Sequence, residues 1–265
     1  MNATSLAIAR KGTTTLRQVY NHGKLKRVGV CIYCGEEGLV TNEHVFPEAW
    51  YPEDTPIDVW RWQVPACYPC NHDKYGVKES KVFPFMAMGT EPLTPGAKGI
   101  GEKAWRAMDP DAASNARDRG YREKLRALMR HRLSATPVHE LAEGAARHGM
   151  QQTNDNVMVT YVLDVDLLPV IGKIARGIVY IAAGGARVNE NFVVRPFREW
   201  SKVPPIFKGM IAQETYSCGP GIIIDMIRIE PYPPCSFMQI RIWGDTYVWF
   251  VAITPKGSSD SEQEL

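Results

Sequence analysis

Three short stretches decide how this chain is read: Cys31-Ile-Tyr-Cys34-Gly35, then Asn42-Glu43-His44-Val45-Phe46-Pro47, then Pro65-Ala66-Cys67-Tyr-Pro-Cys70-Asn71-His72-Asp73-Lys74. Two C-x-x-C pairs supply four thiolates, a full tetrahedral shell for Zn²⁺ that leaves no open position and is therefore structural. Glycine directly after Cys34 suits the tight knuckle around a metal. Residues 35–66 separate the pairs, more than the ~15–20 of a simple four-cysteine pattern, so a segment with its own role is inserted between the knuckles. Cys218 and Cys235 stand alone and read as ordinary buried thiols.

The inserted segment carries Glu43 and His44 on a short strand-like run that ends at Pro47. After Cys70, the polar run from Asn71 to Lys81 opens as a helix. Zinc would then pin a hairpin bearing Glu43 and His44 against a helix bearing Asn71. The hard oxygens of Glu43 and Asn71 suit Mg²⁺ or Mn²⁺. His44, with an ordinary pKa of ~6.5, can deprotonate water near neutral pH. Together these are parts for hydrolysing a phosphodiester. Neighbours on a regular strand point to opposite faces, so Glu43 and His44 can share a site only at a bulge or strand end, and Pro47 places a strand end close by.

Across residues 28–82 these motifs resemble the HNH endonucleases of the ββα-metal class, in the version stapled by two zinc knuckles. The resemblance implies His44 as general base, Glu43 and Asn71 as ligands of the catalytic divalent metal, and Lys74 as a phosphate contact. With Arg61 and Lys78, Lys74 makes up the candidate nucleic-acid contacts. The central Asn of that family's pattern is missing. Arg61-Trp62-Gln63-Val64-Pro65 stands in its place, so either Gln63 substitutes for it or the loop is held differently. The rest of the chain resembles, more loosely, the companion region of other HNH-containing proteins.

The remaining sequence reads as α+β. A basic N-terminal arm (1–27) precedes the module (28–82). Residues 83–101, rich in Pro and Gly, read as a linker. A helical segment follows over 102–150, with Tyr121, Leu125, Leu128, Met129 and Leu133 on one apolar face, and with Thr136-Pro137 and Gly149 as start and stop signals of a second helix. An α+β C-terminal domain of unknown role spans 151–255, where strands at 156–164, 222–229, 236–243 and 246–253 surround a helical stripe from Leu167 to Val179. Residues 256–265 form a flexible tail. Trp50, Tyr51, Trp60 and Trp62 read as a mini-core of the module, and Glu48 and Glu79 as surface acids.

In 265 residues, 45% are hydrophobic and 23% charged, with a formal charge of +2. That composition excludes wholesale disorder. No apolar run reaches the ~18 residues that span a bilayer, and Leu6–Ala9 is shorter than a signal-peptide core, so the expected location is the cytoplasm. A zinc deaminase is discarded because the spacing after His44 is H-x-x-x-E and Cys31/Cys34 would go unused. Three readings remain: a metal-dependent endonuclease hydrolysing DNA, with RNA as the other candidate substrate and a homodimer compatible with it; a non-catalytic zinc-binding module that recognises nucleic acid or protein; and a chain whose C-terminal half is the functional part, for instance a toxin or interaction domain fused to the module, which deleting 102–265 would test.

Overall fold

The computed structural model describes residues 18–21, 24–87, 95–136, 146–153, 156–162, 164–210, 212–244 and 246–257. The chain is mixed α+β, with every strand pair antiparallel. Strands β1 (Gln18–Asn21), β2 (Lys24–Val30), β3 (Glu37–His44) and β4 (Gln63–Cys67) form a four-stranded meander. The first cysteine knuckle is the turn between β2 and β3. There Gly35 adopts φ +85°, a conformation side chains disfavour, and its N–H donates to the Cys31 carbonyl at 2.9 Å.

Beyond β4 the chain enters a π-helical stretch, Pro69–Gly76, and continues as α1 (Val77–Ala87). Helices α2 (Ile100–Met108) and α3 (Ala116–Arg132) follow. A small sheet of β5 (Leu133–Thr136), β6 (Ala146–Thr153) and β7 (Asn156–Val162) has the order β5-β7-β6. Then come α4 (Asp164–Ala182), β8 (Phe192–Phe197), the short α5 (Pro205–Lys208), β9 (Glu214–Ser217), β10 (Ile222–Arg228), β11 (Ser236–Ile242) and β12 (Tyr247–Pro255). The last five strands form one sheet in the order β8-β12-β11-β10-β9.

Alternation on that sheet is amphipathic on both faces. Ile222, Ile224 and Met226 face the main core, while Ile227, Phe237 and Ala252 pack with Val203 and Phe207 on the other side. The α4 helix is buried along Leu167, Val170, Ile171, Ile174, Ala175, Ile178 and Val179, and it packs on α1, β4 and β8. Burial at this density supplies most of the stabilisation, since each such side chain contributes about 1.5–3 kcal/mol.

The core is continuous. Val45, Phe46, Trp50 and Trp62 of the knuckle region belong to the same cluster as Phe85 of α1, Met129 of α3 and Trp243 and Trp249 of the large sheet. The indole rings of Trp50 and Trp243 lie 5.9 Å apart, and Trp243 Nε1 donates to the Trp50 carbonyl at 2.6 Å. Trp50, Tyr51 and Trp62 are therefore core residues of the whole fold rather than of a self-contained module, and Trp60 is 41% exposed.

Three expectations are corrected. Residues 83–87 are not linker but the buried end of α1, because Phe83, Phe85 and Met86 outweigh the break that Pro84 suggests. Gly96 serves close packing rather than looseness. A Cβ there would fall 2.5 Å from Gly221 Cα, so only glycine lets the two backbones cross. Residues 133–136 and 146–149 are strand, both pairing with β7, where Leu133 was expected on the helical face, Thr136 at the start of a second helix and Gly149 at its end; the pairing partner outweighs local propensity. Residues 137–145, the first part of the N-terminal arm (1–17), residues 22–23, the middle of the expected linker (88–94) and the tail from 258 lie outside the described residues.

Candidate functional site

The sulfurs of Cys31, Cys34, Cys67 and Cys70 all lie within 4.8 Å of one another, and Cys34 Sγ is 3.7 Å from Cys67 Sγ. A tetrahedron with Zn–S bonds of ~2.3 Å has edges of ~3.8 Å, so the cluster has the dimensions of a four-thiolate zinc site. Burial opposes ionisation of Cys31, but backbone N–H groups of Cys67, Cys34 and Tyr33 outweigh it and bring that thiol down to about 7. Burial pushes the Cys67 and Cys70 thiols up. A divalent cation would convert the set to thiolates outright. These four residues could hold a metal ion such as zinc, and they are the one group of at least three Cys, His, Asp or Glu donors among the described residues with that spacing.

Strand β3 ends at His44, where Val45 N–H reaches across to the Trp62 carbonyl at 2.9 Å. Glu43 is 7% exposed and turns inward. Its Oε1 accepts from Lys173 Nζ at 2.7 Å, and Lys173 itself is completely buried. The same ammonium lies 2.7 Å from Glu79 Oε1 and donates to the His44 carbonyl. Among the described residues the buried Tyr33 hydroxyl has no hydrogen-bond partner. Desolvation, then the charges of Glu43 and Glu79, drive its pKa upward. Burial also raises the Glu43 pKa, opposed by Lys173.

His44 pairs across the strands with Gln63, and their side chains meet at 2.8 Å through His44 Nε2. Gln63 thus braces the imidazole across the strand pair. Burial lowers the His44 pKa below 6.5, with Glu48 acting the other way and Lys173 and Arg61 reinforcing the shift. Asn71 sits in the π-helical stretch, and its Nδ2 donates to Thr41 Oγ1 at 3.1 Å. The wide turn brings Gly76 onto the Asn71 carbonyl, five residues back, where a Cβ would come within 2.9 Å of the oxygen.

Glu43, His44 and Asn71 line one open cleft of about 810 Å³, which α2 and α3 also line through Lys103, Arg106 and Arg122. Glu43 is nearly buried and bonded to Lys173, while His44, the last residue of β3, is half-buried and in register with Gln63; both border the cleft. Lys74, Arg61 and Lys78 do not line the cleft. Lys74 is exposed, with its ammonium 5.3 Å from the centre of the Tyr75 ring. Arg61 pairs with Glu48 at 3.0 Å and covers the Tyr51 ring.

Glu79 is corrected from a surface acid to a nearly buried partner of Lys173, because an ammonium in the core demands a counter-charge. Glu48 is a surface acid, 67% exposed. Lys173 and Lys103 escaped the sequence reading. Lys173 does leave a signal, as the one cation in the apolar run Leu167–Ala175.

Compared with family models, with curated proteins and with solved structures, the chain matches none. Among the described residues no helix is long and apolar enough to cross a membrane.

Proposed function

We propose that this protein is a metal-dependent endonuclease of HNH type that hydrolyses DNA phosphodiester bonds, with zinc at the four cysteines as its structural staple. The observation that supports this reading is that Glu43, His44 and Asn71, the last directly following Cys70 of the four-sulfur cluster, all line one cleft. The donor chemistry fits a hard divalent cation. Glu43 and Glu79 bring two carboxylates against one ammonium, which leaves one net negative charge, and Asn71 adds an amide oxygen. Mg²⁺ or Mn²⁺ bound by Glu43 and Asn71 would stabilise charge on the phosphate and the leaving oxygen.

The chain's own residues do the rest. His44, kept neutral by burial, takes the proton of the attacking water. For Nδ1 to serve as the base, the Gln63 amide must present its oxygen to Nε2–H; amide oxygen and nitrogen exchange by a simple flip. Lys103, which lines the same cleft, faces the incoming backbone with a positive charge, one N–H of which is engaged by the Tyr51 carbonyl.

The test is nicking of supercoiled plasmid by zinc-loaded protein with Mg²⁺ or Mn²⁺. His44→Ala should lower the rate by about 10²–10⁴-fold. Cleavage surviving that substitution removes His44 from the mechanism. The second reading, a non-catalytic zinc module, draws on the Lys173 ammonium already bonded to Glu43; DNA binding by a wild-type protein that never cuts would establish it.

A further inference from the structure

We propose that Lys173 is a positioning residue for the Glu43–His44 pair, supplied from the far end of the sequence. This rests on the endonuclease reading and deepens it. Lys173 does not line the cleft, whereas Glu43 and Glu79 do. The order from the inside outward is ammonium, two carboxylates, cleft. One N–H bond fixes Glu43 Oε1 at 2.7 Å, which commits that oxygen inward and leaves Oε2 as the oxygen free of this bond. Another holds the His44 carbonyl, which ties down the strand end that carries the base. Contact with Glu79 Oε1 at 2.7 Å completes the set.

A fully buried lysine placed only for packing would be worse than a methionine of similar volume, since its charge must be desolvated. Here the charge has a task. Without it, two carboxylates face each other at the inner wall of the cleft, and Glu43 loses the partner that sets its rotamer. The helix carrying Lys173 crosses β3 at Gly177, one turn along on the same face. A Cβ there would come within 2.8 Å of Val45, so α4 reaches the strand end closely enough for the lysine to act.

The test uses the full zinc-loaded chain with two readouts, Mn²⁺ binding by electron paramagnetic resonance and plasmid nicking. Lys173→Met should weaken Mn²⁺ binding and lower kcat by about 10–100-fold, the usual cost of losing an outer partner of a ligand. The double variant Lys173→Met with Glu79→Gln restores the single net negative charge and should recover at least half of that loss on a logarithmic scale. A packing role predicts no such rescue. If Lys173→Met does not fold, the double variant decides by itself: Mn²⁺ binding within about tenfold of wild type supports the proposal, and complete loss overturns it. If Lys173→Met binds Mn²⁺ and cuts like wild type, the positioning role falls while the endonuclease reading stands. If wild type neither binds Mn²⁺ nor cuts, both fall.

Discussion

Replacing Gly177 with alanine tests how closely α4 must approach the end of β3. A Cβ built at Gly177 lies 2.8 Å from Val45 Cγ2, 2.9 Å from Cγ1 and 3.3 Å from Cβ. Carbon atoms prefer separations of about 3.5–4.0 Å, so the helix and Val45 must separate by roughly 1 Å. Val45 is completely buried and, being β-branched, has few rotamers into which it can retreat. The helix has to move. Lys173 sits four residues earlier on the same face, so its 2.7 Å contacts with Glu43 and Glu79 stretch with it.

Overpacking of this kind costs about 1–3 kcal/mol. Alanine regains up to about 1 kcal/mol over glycine inside a helix, which leaves a net destabilisation of up to about 2 kcal/mol. At about 2–4 °C per kcal/mol for a chain of this size, the melting temperature should fall by up to about 8 °C in a circular-dichroism melt. Combining Gly177→Ala with Val45→Ala restores the room, so the double variant should be more stable than the sum of the singles by about 1 kcal/mol. A Gly177→Ala protein that melts at or above wild type, with no coupling to Val45, would refute the close crossing.

Cys70→Ser should abolish binding of one Zn²⁺ per chain, measured by metal analysis of the purified protein, and should melt well below wild type, since a structural zinc contributes about 10–16 kcal/mol of apparent binding energy; one retained zinc with an unchanged melt would exclude the four-thiol site. The single-turnover nicking rate should rise with pH and level off with an inflection below 6.5, because burial lowers the His44 pKa and only the neutral imidazole accepts a proton; an inflection at or above 6.5 contradicts this. Gly76→Ala places a Cβ 2.9 Å from the Asn71 carbonyl oxygen, a backbone atom with nowhere to go, so it should lower the melting temperature by several degrees, at about 2–4 °C per kcal/mol, and weaken Mn²⁺ binding. An increase in stability, as expected for glycine to alanine in an ordinary helix, would show that the π-helical turn is not what holds Asn71.

The four-cysteine group was legible from the sequence, and long-range charge pairing was not. Two C-x-x-C pairs are a short-range pattern, and short-range patterns survive without knowledge of the fold. The strands at 222–228 and 236–242 and the buried stripe of α4 likewise follow from periodicity. Lys173 lies 130 residues from Glu43, and nothing local in either segment names the other. The π-helical register was equally hidden, since Asn71 and Gly76 carry no mark of an i to i+5 turn. Composition misled at 83–101, where Pro and Gly drew attention from Phe83, Phe85, Met86 and Ile100, all buried.

The shared core changes what a deletion experiment can mean. Removing 102–265 looks, on the sequence, like separating a zinc module from an appended domain. It would strip Trp50 of Trp243, Trp62 of Tyr216, Val45 of Gly177 and Glu43 of Lys173. Exposing several large apolar side chains forfeits about 1.5–3 kcal/mol each, and an unpaired carboxylate adds its own cost, against a total stability of only about 5–15 kcal/mol. The fragment would therefore lose much of the packing around Trp50, Trp62 and Val45 whatever the rest of the chain does in function. Point substitutions that keep the core intact are the perturbations that can assign roles here, because the residues after the first knuckle, the end of β3 and α4 share one packed core.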